Sequence, residues 1–341
     1  MQLKTPEQLH DLAEEVLAAA GASKENADIV AEHLVSANLS GVDTHGVRHI
    51  PGYVRDLRAG FIDGKAQPTI VRSEPSSLLV SGNWTFGQVA ARFATERGIE
   101  RALDSGVTAV GLVQCHHIGR LGYYAELAAS KNLVAQVWAG GYSEEAPVTV
   151  PFGGRQRLLH TNPISMAFPS GSGHPFMFDF ATTALSGVKI EDARRHGEAL
   201  PLGAIVDRDG KFSTDPNDFF AGGGHAPFGG HKGYAFNMAA EYYGRVLTGS
   251  NAYADPLRGG PIMRNQGVTI ILMRDDLFTS RADFEQRADE MSTRTRAIAP
   301  AAGFASVLMP GDPEWNTRQK RLAEGIPVED AIWDEIESLK H

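Results

Sequence analysis

The stretch SLLVSGNWTFGQVAARFATERGIERALDSGVTAVGLVQCHHIGRLGYYAELAASKNLVAQVW, residues 77–138, decides the fold class. Its LLVSG reads as a short strand, Gln88 to Asp104 as a helix, Val107 to Val113 as a strand, Gly119 to Ser130 as a helix and Leu133 to Trp138 as another strand. Strand-sized apolar runs alternating with helical segments argue for α/β architecture. Downstream, strand-like runs recur at Leu158 to Phe168, Pro175 to Ala181, Ala204 to Asp207, Gly267 to Met273 and Phe304 to Leu308. Tyr234 to Leu247 reads as a helix with so broad an apolar surface that it predicts deep burial. Helices near Asp312 to Glu324 and Val328 to Leu339 close the chain.

Upstream, Thr5 as N-cap, Pro6 at the first helical position and Gln8 completing a capping box mark a helix start. Leu9, Leu12, Ala13, Val16, Leu17 and Ala20 then recur at helical spacing, Gly21 stops the run, and Ser23 opens a second helix. The next segment, GVDTHGVRHIPGYVRDLRAG at 41–60, gathers ionisable side chains between helical stretches, a position that suits a site. AGGGHAPFGGHKG at 221–233 holds six glycines in thirteen positions and reads as a loop.

The 341 residues predict about two domains or one large α/β body. With 42% hydrophobic and 21% charged residues the chain is not of the disordered class. A net charge of -9 without a basic run argues against nucleic acid as a partner. The lone Cys115 excludes an intramolecular disulfide and a multi-thiolate metal site, and fits a reducing compartment. No apolar run approaches the ~18 residues of a membrane span. The N-terminus reads directly as an acidic helix rather than a signal or transit peptide, so a cytoplasmic protein without membrane contact is expected.

Neither GxGxxG nor GxxxxGK[ST] occurs, and GxSxG is absent. What remains is a set of ionisable residues in polar loops. His45, in a turn-like DTHG, has the titration range for proton transfer to a substrate oxygen; a capping histidine is the plain alternative. Arg48 has the fork to meet a carboxylate, or forms a surface ion pair. His116 and His117 precede the helix start GRLGYYAEL, whose free amides favour an anion unless the glycine only permits a turn. Asp179 falls at a strand end, where ligands collect in α/β sheets and where aspartates also cap helices. Lys232 lies in the glycine loop, placed to hold a diphosphate or simply to be solvated. His45 and His49, four apart, with His116 or His117 as a third ligand, are the alternative reading as a metal set. Against it, Gly46 stands where the zinc-protease pattern needs Glu, and Pro51 with the flanking glycines makes a regular helix doubtful.

Taken in order, the blocks DTHG (43–46), HIGRLGYYAELAA (117–129), TNPISMAFPS (161–170), DFATT (179–183), DRDGKFSTDP (207–216), GGHKGYAF (229–236) and MPGDPEW (309–315) resemble those of the type-2 malate/L-lactate dehydrogenase family. This is the sulfolactate-dehydrogenase-like group. The resemblance runs from about residue 5 to 340 and implies a non-Rossmann α/β fold that binds NAD or NADP, with a helical domain built from both terminal segments, and a homodimer. Residues 1–75 with 310–341 would form the helical substrate and dimerisation domain, and 76–309 the α/β NAD(P)-binding domain. The resemblance further implies His45 as catalytic acid/base and Asp179 as the carboxylate near the reacting centre, to orient the imidazole or to stabilise its cation. Thr44, Arg48, His49 and His117 would line the substrate. The cofactor would be met by His117, Thr161, Phe176, Phe178, Asp179, Phe180, Ala181, Thr182, His231, Lys232, Gly311, Asp312 and Glu314.

Two departures stand out. Many relatives carry Arg four residues after the histidine, where this chain has His49, with Arg48 one residue earlier. His231 replaces an aromatic residue, and His160 a glycine. The expected activity is hydride transfer between a nicotinamide cofactor and a small 2-hydroxy acid, 2-oxo acid or related imine. A metal-dependent hydrolase or lyase using the clustered histidines, and a small-molecule binding protein without turnover, are the competing readings.

Overall fold

A computed structural model describes residues 1–142 and 145–340. Strand β1 (Gln2–Lys4) leads into α1 (Pro6–Ala19), whose capping box forms as read: Thr5 Oγ1 accepts from the Gln8 amide at 3.2 Å and Gln8 Oε1 from the Thr5 amide at 2.9 Å. Ser23 caps α2 (Lys24–Leu39) through the Asn26 amide. Two 3-10 turns, Asp43–His45 and Val47–His49, follow before α3 (Ile50–Arg58), where Pro51 falls in the first turn and its missing N–H leaves no hydrogen bond unmade. No regular helix lies under the histidines, as Pro51 and the flanking glycines predict: His45 and His49 sit in the 3-10 turns, and α3 begins after them.

The central sheet contains β2 (Thr69–Glu74), β3 (Ser77–Ser81), β4 (Val107–Val113), β5 (Leu133–Gly140), β6 (Ile164–Phe168) and β7 (Phe176–Phe180), with α4 (Gly87–Ser105) and α5 (Gly122–Ala129) between them in sequence. Val107–Val113 has the limits read from the sequence. The strand expected over Leu158 to Phe168 shrinks to its second half; Leu159 makes only an isolated bridge to Thr149. A smaller unit follows: α6 (Gly187–His196), β8 (Ile205–Val206), β9 (Phe212–Ser213), α7 (Pro216–Phe220) and β10 (Gly224–His225), its strands ordered β10-β8-β9. The glycine-rich 221–233 is therefore not all loop. Gly224 and His225 pair with Val206 and Ile205, and His231 to Gly233 open α8 (His231–Glu241).

A π-helical segment, Tyr242–Leu247, continues α8. The deep burial expected here is corrected. Only the small or polar Gly233, Asn237, Ala240 and Gly244 are buried, whereas Phe236, Tyr242, Val246 and Leu247 are exposed. The sheet side takes small residues because the helix backbone comes so close: a Cβ on Gly244 would stand 2.6 Å from the Gly140 amide. Next come α9 (Gly260–Met263), β11 (Gly267–Arg274) and α10 (Arg281–Arg296), a polar helix the sequence reading did not anticipate. The strand expected at Phe304 to Leu308 is irregular chain, with Phe304 and Leu308 exposed. Last come α11 (Asp312–Glu324), β12 (Ile326–Val328), which pairs with β1, and α12 (Asp330–Glu337).

The seven-stranded order is β2-β3-β4-β11-β5-β6-β7, and only β3 and β4 run parallel. One core packs α4 and α5 on this sheet through Ala90, Ala94, Tyr124, Val110, Ile270 and their neighbours. A second joins Leu12, Val16 and Leu34 near the start of the chain to Ile326, Val328 and Ile336 near its end. The 43–49 turns and the 116–122 segment lie where these two bodies meet. No helix among the described residues is long and apolar enough to cross a membrane.

Candidate active site

The DTHG turn is fixed by its neighbours before it presents any chemistry. The Asp43 carboxylate takes two hydrogen bonds from Arg321 of α11, at 2.6 and 2.9 Å, and one from Asn38 Nδ2 at 2.7 Å. Asn38 Oδ1 in turn accepts from the Val47 amide at 2.9 Å. Gly46 is required by close approach, since a Cβ there would stand 2.2 Å from Asn38 Oδ1. The turn therefore has one orientation, with His45 and His49 on its free side.

Thr44 touches both rings. Its hydroxyl lies 3.1 Å from His45 Nδ1, and its carbonyl oxygen lies 2.7 Å from His49 Nε2. A carbonyl only accepts, so His49 carries its proton on Nε2. His117 arrives from the start of the α5 segment: its ring centroid is 5.7 Å from that of His45 and 5.0 Å from that of His49. Gly119, at φ +73°, lets the chain turn there; a Cβ would meet His33 Nε2, which accepts the Arg120 amide at 2.9 Å. The structure thus brings together three histidines that the sequence separates.

Burial dominates their electrostatics. It pushes His45 down to about 4, helped by His49 and Arg120. It lowers His49 too, against the Thr44 hydrogen bond, with Arg48 and His116 adding to the fall. His117 falls well below the usual imidazole range, again chiefly by burial. All three rings are neutral near pH 7. Arg48 itself makes no hydrogen bond or ion pair among the described residues and is half-buried.

Asp179, on β7, makes no hydrogen bond to the His45 ring among the described residues. It accepts the Gly122 amide at 2.7 Å, so the α5 start that the sequence marked as an anion site is filled by the protein's own carboxylate. Burial raises its pKa to about 6, opposed by Arg120 and the Gly122 amide, while Glu126 and Glu314 add to the rise. Arg120, fully buried, binds both oxygens of Glu126 at 3.0 and 2.8 Å, and its charge acts on Asp179 and His45 alike. Arg120, Tyr53 and Gln88 escaped the sequence reading. An arginine inside the apolar IGRLGYYA was the one visible signal, because such a position demands a buried partner.

The residues assigned to the cofactor lie on both faces of β7: Phe176, Phe178 and Phe180 on one, and Asp179 on the other, the side on which Gly311 and Glu314 sit beside Met177. The Thr182 amide donates to Thr161 O, and the Phe228 amide to Thr182 O. Phe178 stacks on Phe180 at 5.1 Å, with Phe176 and Phe228 edge-on to either side and Ala181 beside them. His231 and Lys232 are exposed in the first turn of α8. Gly311, at φ +99°, leaves 3.3 Å between a would-be Cβ and the Met177 backbone. With Glu314 it lines a cavity of ≈ 450 Å³. Two assigned side chains are already used by the fold. Asp312 accepts from Arg296 and the Met309 amide, and the Thr182 hydroxyl donates to the carbonyls of Thr161 and Asn162. Flat aromatic faces, an exposed cation at a helix start and a close glycine approach suit a dinucleotide. A smaller cavity of ≈ 270 Å³ lies against His49, Tyr53, His117 and the Gly259 to Met263 segment. Ligand atoms drawn within 4.8 Å of one another occur, among the described residues, at His10, Glu14 and Asp28, not at the three histidines.

A family model described as malate/L-lactate dehydrogenase matches residues 5–337. Hydroxycarboxylate dehydrogenase B of Escherichia coli is 33% identical over 337 residues, covering 96% of this chain and 91% of that protein. The sulfolactate dehydrogenase structure from Methanocaldococcus jannaschii aligns with a TM-score of 0.89 at 30% identity, over 99% of this chain and 96% of that one. The delta1-piperideine-2-carboxylate reductase structure from Pseudomonas syringae aligns at 0.88 and 32% identity, over 99% and 100%. Fold and relatives define an oxidoreductase of the dehydrogenase class, built on the α/β fold of sulfolactate dehydrogenase rather than on a Rossmann fold. The chain belongs to the malate/L-lactate dehydrogenase family.

Proposed function

We propose that this protein transfers hydride between NAD or NADP and a small 2-hydroxy acid, 2-oxo acid or related cyclic imine, with His45 as the acid/base. The observation that supports this most is the neutral, inward-turned His45 on a rigid turn beside His49 and His117. A bound nicotinamide would supply or accept the hydride. Everything else falls to this chain's side chains.

In the oxidation direction His45 takes the hydroxyl proton; in reduction it returns one to the oxygen or nitrogen as charge builds there. Thr44 orients its ring through Nδ1. Asp179 acts one step removed, as a carboxylate balanced against the Arg120 charge that both groups feel. Arg48, a cation without a partner among the described residues, is the group to meet the substrate carboxylate, and the neutral His49 beside it sets what else fits. Phe178, Phe180, Lys232 and Gly311 would hold the dinucleotide. The segments 1–75 and 310–341 carry the substrate turn, and 76–309 carries the cofactor residues other than Gly311, Asp312 and Glu314. A homodimer belongs to the same reading, supported by the exposed Phe236, Tyr242, Val246 and Leu247.

The test is oxidation of NADH and NADPH over a panel of 2-oxo acids and cyclic imines. One panel member should turn over. His45→Ala should lower kcat by about 10²-fold or more while the cofactor Kd stays within about two-fold. No turnover with any compound, or a variant as fast as the parent, would overturn the proposal.

A further inference from the structure

We propose that Tyr53, held by Gln88, is a positioning residue that fixes His117 as a neutral hydrogen-bond donor to the substrate oxygen. The inference rests on the dehydrogenase reading of the site. Tyr53, on α3, and Gln88, in the first turn of α4, are both buried. Gln88 Nε2 donates to the Tyr53 hydroxyl at 2.6 Å, and the same hydroxyl lies 2.8 Å from His117 Nδ1. A phenol has one hydrogen. The Gln88 NH₂ group does not accept it, so the hydrogen goes to His117 Nδ1.

That direction determines the rest of the ring. His117 is neutral because burial and the neighbouring histidines disfavour its charge. A neutral imidazole that accepts at Nδ1 carries its hydrogen on Nε2. Among the described residues Nε2 has no partner, and the ring lines the same small cavity as His49 and Tyr53. Its N–H is free to meet an incoming oxygen. The two neighbours differ: His49 spends its Nε2 hydrogen on the Thr44 carbonyl, and His33 uses its Nε2 to accept the Arg120 amide. His33 therefore keeps its hydrogen on a buried, unpartnered Nδ1 away from that cavity, and of the two rings that line the cavity, His117 and His49, His117 is the one whose free atom is a donor. A donor aimed at the oxygen stabilises the negative charge that develops during hydride transfer without itself exchanging a proton, which leaves proton transfer to His45.

Tyr53→Phe removes only the hydroxyl and tests the relay. Long-range proton–nitrogen spectra of histidine-labelled protein, with the His117 signals assigned by their loss in His117→Gln, should show the Nε2–H form in the parent and a mixture of forms in Tyr53→Phe. With the substrate found by the panel, kcat should fall roughly 10–100-fold while KM changes less than about three-fold and the cofactor Kd is unchanged. An Nδ1–H form in the parent, an unaltered ring in Tyr53→Phe, or an unchanged kcat overturns the inference. The spectra need no substrate, so a failure of the relay is distinguishable from a failure of the dehydrogenase reading. Gln88→Met keeps the phenol but frees its rotor, and is expected to give a smaller loss of kcat than Tyr53→Phe; an equal or larger loss also overturns it.

Discussion

His45 is a base with its proton already gone. An imidazole held at about 4 by burial, His49 and Arg120 is unprotonated throughout the neutral range, ready to accept a hydroxyl proton. In the oxidation direction kcat/KM should stay level from about pH 8 to about 5, and fall only as the ring protonates toward 4. In the reduction direction the same ring must first gain a proton, so that rate should climb as pH drops over the same interval. Initial rates measured both ways across pH check the sign. A reduction rate that rose with pH would mean another group moves the proton. Arg120 connects this behaviour to Asp179, because one buried guanidinium lowers the histidine and also opposes the rise of the carboxyl.

The turn that carries His45 works only as part of its surroundings. Asn38 bonds Asp43 and the Val47 amide, Arg321 clamps Asp43, and Gly46 leaves no room for a methyl group. Gly46→Ala should therefore cost about 1–3 kcal/mol in a denaturant melt, by overpacking against Asn38, and reduce kcat more than it weakens cofactor binding. Unchanged stability would mean that α2 and the turn separate freely. Such local rules are what a sequence shows well. The Thr5, Pro6 and Gln8 cap, the Ser23 cap and the limits of Val107–Val113 were legible because each depends on a few adjacent residues. The same holds for the DTHG histidine and the resemblance of the blocks around it. The burial of α8 was not legible, since a helix apolar on every side does not say which side the sheet takes; here the small residues face inward. Nor were Tyr53 and Gln88, ordinary core residues until the fold sets one hydroxyl between a glutamine and a histidine.

The whole molecule stores many uncharged imidazoles, and this makes it sensitive to acid. His45 and His160 are lowered to about 4 and His225 to about 3, all chiefly by burial. The unfolded chain binds protons at these positions near pH 6.5 and the folded chain does not, so their stability is present at neutral pH and is lost as pH falls from about 6.5 toward 4. Near pH 5 each is worth about 2 kcal/mol. Asp179, raised to about 6, works the other way: the folded state keeps a proton there that the unfolded state has released, so its term shrinks as pH rises from about 4 to 6. Three imidazoles outweigh one carboxyl. Calorimetric melting should drop by roughly 5–10 °C between about pH 7.5 and 5, and a flat profile would show that these rings are solvated.

The placement of β11 has a consequence for how the chain is made. It lies between β4 and β5, pairing Val268 with Leu112 on one side and with Ala139 on the other, yet it leaves the ribosome long after both. Until then the two earlier strands face an open slot of unpaired amides and carbonyls, two raw edges where the middle of the molecule will be. Closing that slot brings together segments far apart in the chain, a slow kind of event. A product interrupted before Gly267 would hold the slot open indefinitely, a template on which other nascent chains can aggregate.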